Sequence, residues 1–387
     1  MKPAAVAVIG GGVVGASVAY HLAARGQREV VILDRAAGPG QGSTGRATGG
    51  YRAQYATAIN VRLSLLTREK LRRFAEDTGG DAGYTPAGYL WLATSEAELA
   101  VLRAGREVQR REGLAEAAEV APDDIARLNP AIRLDAILGG VFCPSDGFIR
   151  PLGLLEGYLS AAARLGVRVE WATEVEGLER APGGRIASVT TSRGALAVES
   201  VVNAAGAWAA QVAGLAGVAL PVTPLRRQVA ATVPCDLLPS AMPMTIWAGD
   251  GFHLRVRDGR VLLLWPTPGE PGRPFGTTVE PEWLNAVTAM AHARVPDLRS
   301  VELDRAASWA GLYEMSPDKH AILGAAPGCE NLYLINGSSG HGVMHAPALG
   351  QLLAEIILDG RASTLDVHCL RPTRFDEGEP NAVSELL

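Results

Sequence analysis

Within the first 34 residues a strand-like run, a glycine turn, a helical stretch, a second strand-like run and an acid follow one another, and this succession constrains the fold more than any global property. Residues Ala4 to Ile9 read AAVAVI, a continuous apolar run rich in β-branched residues, as expected of a strand buried on both faces of a parallel sheet. Gly10, Gly12 and Gly15 then satisfy GxGxxG, with Gly11, Val13 and Val14 between them. An amphipathic stretch from Ala16 to Arg25 closes on Gly26, and a second strand, Glu29 to Leu33, ends on Asp34 followed by Arg35. In such a unit the first glycine makes the tight turn, the second lets backbone approach a pyrophosphate, and the third lets the helix lie close on the sheet. The helix N-terminus offers free N–H groups and a positive dipole end to the phosphates. Asp34 is placed to accept hydrogen bonds from a ribose diol. Both FAD and NAD use this device, so the unit predicts a dinucleotide without choosing between them.

The chain holds 45 glycines among 387 residues, well above the ordinary usage of about 7%, and they are clustered rather than periodic, which excludes collagen-like and simple linker readings. At 48% hydrophobic, a chain of this length predicts two intertwined globular domains rather than disorder. The 36 basic and 41 acidic residues give a net charge of −5 with no polybasic run, so neither a nucleic acid nor a membrane surface is an expected partner. Cys143, Cys235, Cys329 and Cys369 are widely spaced, which suggests no disulfide framework and no zinc site. Among the seven histidines only His341 and His345 have a spacing that invites a metal, and they lie across an expected loop-to-helix junction in a GHG setting that reads better as a cofactor loop. No stretch approaches the ~18 apolar residues a membrane helix requires, and the cytoplasm is the expected location.

A second glycine cluster, Gly38 to Gly50, follows the second strand and carries Gly42, Ser43 and Thr44, whose donors suit the far side of a pyrophosphate or an isoalloxazine edge. Further along, VVNAAGAWA at 201–209 ends a strand in the small turn Ala204, Ala205, Gly206, with Trp208 reading equally as core filler or as a cofactor neighbour. Near the C-terminus, Asn331 to Ile335 reads as a strand, Gly337 to Gly342 as a glycine loop and Val343 to Leu358 as a helix. Between these pieces lie a strand-like Tyr84 to Thr94, a charged helix Glu96 to Glu112, and the strand-like runs Gln228 to Val233, Phe252 to Val256 and Val261 to Trp265, the last two joined by the turn Asp258-Gly259.

Taken in order, the fingerprint at 10–15, STGRATGGYRAQY at 43–55, VVNAAGAWA, GLYEMSPDKHAILG at 311–324 and NGSSGHGVMHAP at 336–347 resemble the FAD-dependent D-amino-acid/sarcosine oxidase (DAO) family, and most closely its branch similar to the sarcosine oxidase β-subunit. The resemblance spans essentially the whole chain. It implies FAD, and an α/β fold with α+β elements: a Rossmann-like FAD-binding domain assembled from 1–83, 140–215 and 300–375, with an inserted antiparallel-sheet substrate domain from 84–139 and 216–299, and a tail at 376–387 expected to fray. It implies oxidation of a C–H bond next to an amine nitrogen by hydride transfer to flavin N5, with the imine then hydrolysed. The strand–loop–helix at 331–358 resembles the segment that presents a helix N-terminus, with Gly340, His341 and Gly342, to the flavin N1–C2=O edge, where a positive dipole end favours the reduced flavin. His341 is expected to hold that loop by hydrogen bonding rather than to titrate.

The same resemblance assigns site residues. Arg52 lines up with the family's carboxylate-binding arginine, a role that suits a bidentate guanidinium, and Tyr313 matches a tyrosine beside the substrate. Trp265 and Met344 are expected in the same pocket. Three departures qualify the match. Gly311 stands where monomeric sarcosine oxidases carry a flavin-linking cysteine, which implies non-covalent FAD. Met344 replaces a carboxylate-binding lysine, which implies a wider, drier pocket suited to N-alkylglycines larger than sarcosine. The strand at 261–265 lacks the lysine that promotes reaction with oxygen, and the chain has lysine only at Lys2, Lys70 and Lys319; His253, Arg255, Arg257 and His320 are the alternative cations, so oxygen and another electron acceptor both stay open. Glycine, proline and dimethylglycine are alternative substrates, an assembly flavoprotein without turnover is the alternative of another class, and an oligomer or a partner subunit is compatible with the branch.

Overall fold

The computed structural model describes residues 1–267 and 274–383. Two large sheets and a two-stranded ribbon organise the chain. The first sheet runs Ile322–Ala326, Cys329–Asn336, Gly194–Asn203, Ala4–Ile9, Val30–Leu33, Arg168–Glu170. All its neighbours are parallel except the first pair, a hairpin. Strands Val175–Arg180 and Ile186–Thr191 extend it as an antiparallel flap on Gly194–Asn203. The central strands are buried along nearly their whole length, because helices pack on their faces. Helix Val13–Ala24 lies between Pro151–Arg164 and Gly342–Asp359.

The fingerprint unit forms as the sequence predicts, with the helix beginning earlier, at Val13, because Gly12 itself is the N-cap. The last helix likewise takes in Gly342 and starts one residue ahead of expectation, with His341 as its N-cap. Pro347 lies inside the helix, one turn past its start, so the helix forgoes the i→i−4 hydrogen bond that an N–H there would make.

The second sheet runs Leu303–Met315, Thr223–Thr232, Arg260–Leu264, His253–Arg257, Met244–Trp247, Tyr89–Ala93, Gly139–Cys143, Ala118–Val120. It is antiparallel except where Met244–Trp247 pairs parallel to Tyr89–Ala93. The turn between its 253–257 and 260–264 strands places Asp258 at φ 53° and Gly259 at φ 68°, the left-handed pair that a tight hairpin requires. The segment limits expected at 140 and 300 do not follow the sheets: strands 139–143 and 303–315 both hydrogen-bond into the second sheet. Strand 84–94 is shorter than its alternation suggests, covering Tyr89–Ala93 with all five residues buried, since helix Glu96–Arg111 packs against it. The tail is also better held than expected, because Asn381 donates from its backbone and side-chain nitrogens to Asp318 Oδ2, each at 3.0 Å; residues 384–387 of that tail lie outside the described ones. No helix among the described residues is long and apolar enough to cross a membrane.

Candidate active site

The cavity between the two sheets begins at the glycine fingerprint and ends against the inner face of the second sheet, with a volume of about 1270 Å³. A single small ligand typically takes about 300–1,000 Å³, so this space suits a dinucleotide together with a substrate.

At the first end, Gly10, Gly12, Val14, Asp34 and Arg35 line the cavity, while Gly15 lies behind it. A Cβ on Gly15 would sit 2.0 Å from the Gly10 carbonyl oxygen, and one on Gly10 would sit 2.3 Å from that of Ala204. These two glycines therefore let helix, turn and neighbouring strand approach each other. At Gly12 a Cβ would meet only Thr44 Oγ1, at 3.4 Å, so that glycine keeps the cavity floor open, as a pyrophosphate cradle needs. Asp34 accepts from Gly11 N at 2.6 Å and Ala36 N at 2.8 Å, and each oxygen retains a further lone pair for a ribose hydroxyl. Trp171, which sequence reasoning missed, walls this end against Gly11.

The second glycine cluster is not an open loop: Ser43–Arg46 forms a short helix. Gly42, Ser43 and Thr44 line the cavity, but both hydroxyls are engaged within the protein. Thr44 Oγ1 accepts from Val13 N at 3.1 Å, and Ser43 Oγ donates to the Leu312 carbonyl at 2.8 Å. Ala205 and Gly206 also border the cavity. Trp208 faces it rather than filling the core, with the Arg35 guanidinium 4.0 Å from the ring centroid and Phe275 stacked on the ring.

Arg52, Tyr313, Trp265 and Met344 meet at the other end with Gly340, His341 and Gly342. Arg52 is 9% exposed and lies over the rings of Tyr55 and Trp91, 4.7 and 5.4 Å from their centroids. Its Nη2 lies 3.3 Å from His341 Nε2. Burial, with Arg52 next in effect, holds His341 well below the usual histidine range, so Nε2 accepts and ties the loop to Arg52. Tyr55 donates its hydroxyl to Met344 Sδ at 3.0 Å. The segment just after Arg52 is held by Asp146, which accepts from Ala53 N at 2.7 Å and from the Gln54 side-chain Nε2 at 3.1 Å. Tyr313 is 37% exposed, toward the cavity. Gly340, at φ +93°, passes so close to it that a Cβ would lie 2.5 Å from the ring.

Gly311 carries no thiol, and the Arg46 stem lies over it, 3.1 Å from where a Cβ would be. Of the four alternative cations only His253 lines the cavity. Its Nδ1 is 2.8 Å from the Gly251 carbonyl, so that nitrogen carries the proton; burial first, then Arg52 and Arg227, lower the ring to about 4. Arg255 and Arg257 instead donate to the Thr48 and Ala47 carbonyls, steadying the glycine segment, and His320 is bonded to Thr57 and the Asp318 carbonyl. Lys319 and Arg227, unassigned from sequence, both line the cavity. Strand alternation gives Arg227's periodicity but not which face looks inward, and Lys319 lies in the connection after strand 303–315, where no alternation applies. No cluster of possible metal ligands occurs among the described residues.

The glycine cradle, the helix N-caps Gly12 and His341 that both line the cavity, and its volume fit FAD. Comparison with known proteins agrees. The chain is 30% identical to FAD-dependent oxidoreductase domain-containing protein 1 of Xenopus laevis over 97% of this chain and 83% of that one. It is 29% identical to glycine oxidase of Geobacillus kaustophilus over 91% and 92%. Its structure resembles that of L-proline dehydrogenase from P. horikoshii with a TM-score of 0.89, 28% identity, and coverage of 98% of this chain and all of that one. The profile of the family described as FAD dependent oxidoreductase, DAO, matches residues 5–356, and the chain belongs to that family as an FAD-dependent oxidoreductase of amine or amino-acid donors.

Proposed function

We propose that this enzyme oxidises a secondary amine bearing a carboxylate, sarcosine or another N-alkylglycine, with non-covalently bound FAD. The observation that carries the reading is Arg52, a guanidinium in the cavity wall, seated on aromatic rings and steadied by His341. Such a group grips a carboxylate through charge-assisted hydrogen bonds and fixes the rest of the donor relative to it. FAD, when bound, supplies a two-electron acceptor. The chain's own residues bind and orient: Arg52 anchors the carboxylate, Tyr313 and Met344 flank the amine, and Trp91 with Trp265 exclude water from the chamber. Neutral His253 offers Nε2 as a proton acceptor, which favours the uncharged amine that the chemistry needs. Gly311 and the Arg46 stem over it support the non-covalent attachment.

Anaerobic mixing of the holoprotein with sarcosine, N-ethylglycine, proline, dimethylglycine and glycine tests the reading through loss of flavin absorbance. Fastest bleaching by an N-alkylglycine is expected. Bleaching by none of them favours an assembly role, and strict preference for glycine or proline replaces the substrate. Admission of air with a peroxide assay then separates oxidase from dehydrogenase. Arg52→Ala is expected to raise KM by roughly 100-fold, the scale of a lost charge-assisted pair, while FAD content stays intact; an unchanged KM rejects the clamp.

A further inference from the structure

Residues directly opposite each other in a sheet share a face. In the second sheet the register pairs Leu225 with Tyr313, Arg227 with Gly311, Val229 with Leu264 and Leu264 with His253. Arg227, Tyr313 and His253 therefore stand on one face, and all three line the cavity. Gly311, across from Arg227, contributes no side chain to cover it.

The contrast with the preceding residue is informative. Arg226, on the other face, is ion-paired with Glu280. Arg227 has hydrogen bonds only to backbone carbonyls, from Nη1 to Thr267 at 2.8 Å and to Arg226 at 3.4 Å, and among the described residues no carboxylate pairs with it. Its guanidinium lies over the Tyr313 ring, 5.7 Å from the centroid. A cation drawn out of water without a counter-ion is costly, and burial indeed lowers its proton affinity. An anion brought into the cavity offsets that cost. Arg52, Arg227 and His253 all line the same cavity, so the two guanidinium groups serve one chamber.

We infer that Arg227 is a second anion-binding group of the substrate chamber and selects donors with two carboxylates, secondary amines of the iminodiacetate or N-(carboxyalkyl)amino acid class. This rests on the reading that Arg52 takes the first carboxylate. The second carboxylate sits on the other nitrogen substituent and meets Arg227 beside Tyr313.

Two redox-inert sulfur analogues test it in the holoprotein: thiodiacetate, with two carboxylates, and (methylthio)acetate, with one, each titrated while the flavin spectrum is followed. Thiodiacetate is expected to bind roughly 10- to 100-fold more tightly, the factor of one charge-assisted contact. Arg227→Gln should bring the ratio towards one, and Arg227→Lys should keep part of it. Equal binding of the two analogues to the unmodified protein overturns the inference while leaving the Arg52 reading in place, as does a ratio that survives in R227Q. If neither analogue perturbs the flavin, both readings fall together.

Discussion

Glu314 follows Tyr313 on the same strand and turns the other way, toward the loop that caps the last helix. Its Oε1 accepts weakly from Ser338 N at 3.4 Å, and its Oε2 is buried with no hydrogen-bond partner among the described residues. Burial raises this carboxyl to about 7, against the lowering effect of hydrogen bonds from Ser338 and Gly337. The folded protein therefore holds a proton that the unfolded chain releases near the ordinary carboxyl value of 4.5. Because the folded state binds more protons across that window, stability falls as pH rises from about 4.5 to 7. Glu314→Gln removes the titration while keeping the shape. Denaturant midpoints at pH 5 and pH 8 should show the variant gaining on the unmodified protein by on the order of 1–2 kcal/mol at the higher pH. Parallel pH profiles for the two proteins would show that Glu314 is ionised throughout.

At the scale of elements, the fingerprint glycines divide into two kinds, and the division is testable. Gly15→Ala drives a methyl into the Gly10 carbonyl, so the helix must lift from its strand, at a cost of about 1–3 kcal/mol. Gly12→Ala meets only Thr44 Oγ1 at ordinary contact distance, yet its methyl stands on the cavity floor. Melting of the apoprotein should drop for G15A and hold for G12A, while FAD titration should weaken for both. An equal loss of melting temperature in the two variants would reject the division. This unit was legible from sequence because the residues that define it lie within 34 positions of one another, although the strand end that Gly10 makes room for, at Ala204, is distant. The same holds for the hairpin at Asp258-Gly259 and for the strand–loop–helix at 329–359, whose residues His341 and Met344 reach the cavity as the resemblance implies. What was not legible is what register decides. Nothing local separates Arg227, which faces the cavity, from Arg226, which faces Glu280, and the inward turn of Trp208 depends on Arg35 and Phe275, both distant in sequence.

Across the whole molecule, the two sheets are joined by segments that cross between them, and the 316–320 connection is held by hydrogen bonds of Ser316, Asp318 and His320. It carries Asp318 and the cavity-lining Lys319 from strand 303–315 of the second sheet to strand 322–326 of the first. Asp318 and Arg374 are 1% and 0% exposed at their side chains. Arg374 donates from Nε to Oδ2 at 2.8 Å and from Nη2 to Oδ1 at 2.9 Å, and Asn381 brings the C-terminal segment onto the same carboxylate. Burial alone would raise the Asp318 carboxyl, but the hydrogen bonds from Arg374 and Asn381 outweigh it and hold the group well below the ordinary carboxylate range. Arg374→Met strands a buried carboxylate and should cost about 3–5 kcal/mol near neutral pH. A depressed carboxylate contributes its stability above the unfolded value of 3.8 and loses it as pH falls below that. The gap between the unmodified protein and R374M should therefore narrow on acidification from pH 7 to pH 3.5, because protonation relieves the stranded charge in the variant. Urea midpoints at the two pH values measure it, and the pair R374M/D318N isolates the coupling, since removing both charges should cost much less than removing the arginine alone. A gap independent of pH would mean that Arg374 stabilises the junction by packing rather than by charge.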